Sequence, residues 1–103
     1  MNISKKMQDA FNAQIVAELW SSNLYLQMAC WFRKEGWKGF SSWMYKQAEE
    51  ERQHAMDMAQ FVLHRGGEVV LTAIDAVKTD WADAKEVFVD TLAHEQNVTE
   101  LIN

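Results

Sequence analysis

Glu51 and His54 lie three residues apart inside a long run with helical periodicity. On a helix they project from one face. Steps of four and three through that run give Phe40, Met44, Gln47, Glu51, His54, Met58 and Phe61. A carboxylate and an imidazole therefore interrupt a largely apolar stripe. A buried, unpaired carboxylate is costly, so a compensating group is required. Two further carboxylates occupy comparable positions. Glu18 sits in the stripe Phe11, Ile15, Glu18, Ser22, Tyr25, Ala29, Phe32. Glu95 sits in the stripe Ala84, Phe88, Thr91, Glu95, Val98, Ile102. Taken singly, Glu18 reads as an edge residue reaching solvent, and the set reads as hydrogen-bonded polar groups around His54. Taken together, three carboxylates and one imidazole directed at one core suit a metal such as iron, manganese or zinc.

The elements that must position these groups are helices. The chain has 103 residues, no Pro and four Gly, and 49% of it is hydrophobic, enough for one domain with a packed core. Ser4 can cap a first helix over about 5–34. Glu35-Gly36-Trp37-Lys38-Gly39 then forms a turn, and a second helix covers about 39–65. Two long helices joined by so short a turn must be antiparallel. Residues 66–82 are β-branched and extended in character, but an isolated strand is not stable. This segment is expected to be a long crossover lying along the bundle, long enough to return the whole length of the second helix. Asp83 and Glu86 match a capping box that opens a third helix over about 83–103. The expected fold class is all-α: two long antiparallel helices, a long crossover and the start of a third helix, in a single domain over 1–103. Trp20, Leu24, Gln27 and Trp31 make a second apolar side on the first helix, which suggests a subunit interface.

The remaining features narrow the function. The net charge of -5 and pI of about 5.1 argue against nucleic acid as a partner. The residues after Met1 do not form the apolar core of a signal peptide, and no run approaches a membrane span, so a cytoplasmic location is expected. Cys30 alone forms no intrachain disulfide and reads as a small buried residue. Trp37, Trp43 and Trp81 read as interface or turn anchors. His94 is offset about 100° from Glu95 on a helix and reads as a solvent or interface residue.

Three runs carry a resemblance: Glu18-Leu19-Trp20-Ser21-Ser22-Asn23-Leu24-Tyr25, Glu50-Glu51-Arg52-Gln53-His54-Ala55 and His94-Glu95-Gln96-Asn97-Val98-Thr99. In order and spacing they resemble bacterial non-haem ferritin, over essentially the whole chain. The resemblance implies a ferritin-like four-helix bundle, of which this chain looks like the first three helices. It implies a di-iron site with Glu18 and His54 on the first iron, Glu51 bridging, Glu95 on the second iron, and Glu50 near a third. Tyr25 matches a tyrosine beside the centre, implicated in electron donation or hydrogen bonding. The implied activity is a ferroxidase that oxidises Fe(II) with dioxygen or peroxide, followed by mineral storage in an oligomeric cage. Arg52 stands where the haem-binding relatives carry a Met, so no haem is expected. The third-helix pattern is still running at Asn103, which matches a fragment. The alternative function is a non-catalytic, metal-binding helical module whose hairpins pair in a dimer to complete a four-helix bundle.

Overall fold

A computed structural model describes the backbone of residues 2–102 and the side chains of residues 2–96, so the side chains of Val98 and Ile102 lie outside the described residues. Three helices are present: α1 (Lys5–Lys34), α2 (Lys38–His64) and α3 (Ala84–Ile102), with no strand among the described residues. Ser4 has extended backbone and its side chain accepts the Met7 N–H at 3.2 Å, satisfying one of the unpaired donors at the start of α1. At the other end, Trp37 N–H reaches Phe32 O at 2.8 Å, while Gly36 adopts φ 88°. That left-handed conformation favours glycine and reverses the chain.

α1 and α2 pack antiparallel. Phe11 meets Phe61 at one end with ring centroids 5.0 Å apart, and at the other Ser41 Oγ donates to Ala29 O at 2.7 Å. Between them Ser22 Oγ donates to Ala48 O at 2.8 Å. The buried face of α2 is Ser41, Met44, Ala48, Ala55 and Val62, with Glu51 on the same line. This face is rotated from the expected stripe. Phe40, His54 and Phe61 lie at its rim and are exposed. The cause is size: Ser41, Ala48 and Ala55 allow close helix approach, whereas a stripe traced through bulky residues passes beside the contact line.

α3 is also antiparallel to α1. Thr91 Oγ1 lies 3.4 Å from Met28 Sδ, and further along α3 His94 reaches back to Ser21. Val87 is fully buried, and Phe88 packs against Phe32 and Phe40 at 5.5 and 4.9 Å. Asp83 Oδ1 caps the helix by accepting Glu86 N–H at 2.9 Å. The Glu86 carboxylate turns back to Ala82 N–H and Lys78 Nζ.

Since α2 and α3 both run against α1, they are parallel to each other, and the chain between them must travel the length of the bundle. It lies along α1. Near the start of α1, Asn12 acts as a substitute strand: its Nδ2 donates to Glu68 O at 3.0 Å and its Oδ1 accepts Val70 N–H at 3.1 Å. Gln8 Oε1 accepts Glu68 N–H at 2.9 Å. Side-chain amides thus satisfy backbone groups that lack a partner strand. Near the end of α1, Trp31 Nε1 donates to Asp80 at 3.0 Å and its ring meets Trp81 at 6.0 Å. Trp81 is buried and donates to Asp90 at 2.9 Å, so it anchors the crossover inside the molecule and is not an exposed interface residue. Leu24 and Trp31, expected to meet another subunit, are buried within this chain instead. Cys30, expected to be buried, is exposed, at the rim of the α1–α2 contact, where its Sγ lies 3.8 Å from the exposed Tyr45 hydroxyl of α2. Replacing Asn12 with Ala removes both bonds to the crossover and should lower stability by about 1–2 kcal/mol in urea unfolding.

Candidate metal centre

Glu18 is 5% exposed, deep between the helices. Its Oε1 accepts Gln14 Nε2 at 3.1 Å, a bond between residues one turn apart on α1. Its Oε2 has no hydrogen-bond partner. His54 Nδ1 lies 3.7 Å from Glu18 Oε2 and 3.7 Å from Glu51 Oε2. Donor atoms at that spacing are too far apart for a hydrogen bond. They are close enough to share an ion with bonds of about 2.1 Å. Glu18, Glu51 and His54 offer ligand atoms that all fall within 4.8 Å of one another.

The electrostatics point the same way. The carboxyl of Glu51 is pushed up to about 8, first by burial, then by a hydrogen bond shared with Glu18, and then by the charges of Glu18, Glu95 and Glu50. Two carboxylates in one desolvated space cannot both ionise cheaply without a proton or a cation between them. Glu18 Oε2, buried and without a donor, is the atom a cation would satisfy. Two carboxylates and one imidazole match the donor preferences of iron, manganese or zinc.

Tyr25 is fully buried, and its hydroxyl donates to Glu95 Oε1. Burial, that bond and the nearby carboxylates raise its pKa far above the usual phenol range, so the group stays neutral. Glu95 is exposed and stands outside the three-ligand group, held by Tyr25. Glu50 is exposed and also outside the group, and its charge acts on Glu51.

His94 corrects the sequence reading. It is half-buried, its Nε2 is 2.8 Å from Ser21 Oγ, and its ring packs on Trp20 and Tyr25. Burial lowers its pKa, against the opposing charges of Glu95 and Glu18. The face of α3 toward α1 is wide enough to include positions 87, 91 and 94 as well as 88 and 95, so the offset between neighbours does not send His94 to solvent. Gln14 and Ser21 were not identified from the sequence. Gln14 precedes Glu18 by four residues, a spacing that could have signalled the pair.

Helices that converge carboxylates and a histidine on one another define a carboxylate-type metal-binding helical bundle. The ferritin family, described as a ferritin-like domain, matches residues 8–103, and the chain belongs to it. The bacterial non-heme ferritin of Bacteroides fragilis (strain 638R) is 48% identical over 101 residues, covering 98% of this chain and 64% of that protein. That of Staphylococcus saprophyticus is 35% identical over 97 residues, covering 94% of this chain and 58% of that protein. Among solved structures, an open pore ferritin from the hyperthermophilic archaeon Archaeoglobus fulgidus matches with a TM-score of 0.92 at 46% identity, over 97% of this chain and 61% of that one. The all-α fold with its ferritin-bundle arrangement of helices is therefore shared with these structures. The chain spans about three fifths of its relatives' length, from 58% to 64%. No helix among the described residues is long and apolar enough to cross a membrane.

Proposed function

We propose that this chain serves iron storage and detoxification, with Glu18, Glu51 and His54 binding Fe(II) for oxidation to Fe(III). The observation that carries this reading is the buried Oε2 of Glu18, which lacks a hydrogen-bond donor and lies 3.7 Å from His54 Nδ1. Hard carboxylate oxygens stabilise Fe(III) over Fe(II), which favours oxidation. Each Fe(II) gives up one electron. Two electrons and two protons convert dioxygen to hydrogen peroxide, or hydrogen peroxide to two waters. In this reading Glu51 bridges toward a second iron, Glu95 is a ligand there, and Glu50 lies toward a third position. Tyr25 holds Glu95 through its hydroxyl and stands where it can donate an electron. Ferric product is stored as mineral in a homo-oligomeric cage, in the cytoplasm.

A second reading is metal binding without turnover, in a module whose bundle is completed by a second copy. It is favoured by Glu95 standing outside the three-ligand group and by the exposure of His54, Phe40 and Phe61 on the rim of α2. Fe(II) oxidation followed by near-ultraviolet absorbance separates the two. The ferroxidase reading expects oxidation well above the buffer rate, lost in Glu51→Ala. A rate equal to buffer, with parent and variant alike, leaves the binding module.

A further inference from the structure

We propose that Ser21 and His94 are positioning residues whose hydrogen bond sets the roll of α3 about α1 and thereby delivers Glu95 to Tyr25. Three observations converge on this. First, Ser21 Oγ lies 3.1 Å from Ala17 O and 2.8 Å from His94 Nε2. A hydroxyl has one proton, and here it is directed to the Ala17 carbonyl in the preceding turn. Toward His94 the oxygen therefore accepts, and His94 carries its proton on Nε2. Second, the His94 ring is wedged between Trp20 at 5.5 Å and Tyr25 at 5.7 Å, edge-on to the latter, which fixes the direction of that N–H. Third, the neighbouring residue Glu95 accepts from Tyr25, one turn along α1 from Ser21.

Two adjacent α3 residues, about 100° apart around the helix, are thus tied to two α1 residues one turn apart. A single bond leaves a helix free to roll about the contact. Two bonds at that angle fix both its roll and its height. The packing of Val87 and Phe88 holds the start of α3 but lies about two turns before His94, and the contact from Thr91 to Met28 adds little, since a thioether sulfur is a weak acceptor. Leu92 and Ala93, between Thr91 and His94, are exposed and add little restraint.

The consequence for oxidation rests on the function proposed above; the positional claim does not. The test uses the full chain with Ser21→Ala, His94→Phe, His94→Gln and Glu95→Gln. Nuclear Overhauser contacts between Tyr25 and Glu95 are measured without metal, Co(II) affinity by titration, and Fe(II) oxidation by absorbance. Ser21→Ala and His94→Phe are expected to lose the Tyr25–Glu95 contact. They should lower the oxidation rate at saturating Fe(II) about tenfold and leave Co(II) affinity at Glu18, Glu51 and His54 unchanged. His94→Gln, whose amide N–H can replace Nε2–H, should restore contact and rate. A general packing defect would not be rescued in this way. Retention of the contact in both Ser21→Ala and His94→Phe overturns the proposal. If the contact is lost and Glu95→Gln also leaves oxidation unchanged, the positioning stands and the role given to Glu95 in oxidation fails. If Glu95→Gln impairs oxidation while the two contact-losing variants do not, the functional consequence of positioning is overturned.

Discussion

Replacing Glu18 with Gln is expected to weaken metal binding by about 100-fold or more and at the same time to stabilise the metal-free chain. Changes in the partners of metal ligands cost about 10–100-fold, and loss of a ligand should exceed that. The opposite effect on stability follows from the same geometry. Glu18 is 5% exposed and its Oε2 is without a donor, so without metal the carboxylate bears a desolvation cost that its bonds to Gln14 and to the protonated Glu51 only partly offset. A neutral amide removes that charge and can donate to Glu51. A gain of about 1–3 kcal/mol is expected, the usual penalty for an unsatisfied buried polar group. Co(II) titration and urea unfolding of the metal-free chain measure the two effects. Unchanged affinity would exclude Glu18 from the site. A loss of apo stability would mean that its carboxylate is already compensated.

The second large effect is a dependence on pH that runs opposite to that of an ordinary surface carboxylate. Glu51 has its pKa raised from 4.5 to about 8 by burial and by Glu18. Between those values the folded chain holds the proton and the unfolded chain has released it. Stability therefore falls as pH rises through this window, by up to about 1.4 kcal/mol per pH unit. The contribution is fully present below 4.5 and gone above about 8. Metal binding moves the other way. The ion must displace the proton, so affinity should rise toward about tenfold per pH unit until Glu51 ionises freely. Glu51→Gln should flatten the stability profile. Urea unfolding and Co(II) titration across pH 5 to 8.5 give both slopes. A parent chain whose stability is level through that range would show that Glu51 does not hold a proton there.

These two effects depend on residues that differ in how legible they were. The face of α1 from Phe11 to Phe32 could be read from spacing because both α2 and α3 pack on it, and a helix covered over a broad arc buries its bulky stripe. Glu18 was ambiguous in isolation, and its burial follows from having helices on two sides. α2 is covered along one narrow line, and small residues determine where that line runs. Hydropathy favoured Phe40 and Phe61, whereas packing selected Ser41, Ala48 and Ala55. His54 consequently reaches Glu18 from the rim of α2.

The crossover shows the same division. Its extended character was evident from the run of β-branched residues, and its length matched the return of a chain between parallel helices. That it would lie on α1 depended on Asn12, Gln8 and Trp31 finding backbone and side-chain partners more than forty residues away in sequence. The angle between neighbours on one helix says nothing about how wide a face the next helix covers, so the sequence points His94 to solvent while the structure packs it on α1.

Helical periodicity was thus enough to indicate an all-α chain that carries Glu18, Glu51, His54 and Glu95 as candidate ligands along its stripes, because periodicity is a local property of the backbone. Which of those groups meet was settled by tertiary packing. Glu18, Glu51 and His54 converge, while Glu95 is held beside them through Tyr25. Convergence depends on the roll and approach of whole helices, and these are set by small residues and by polar contacts across long stretches of sequence.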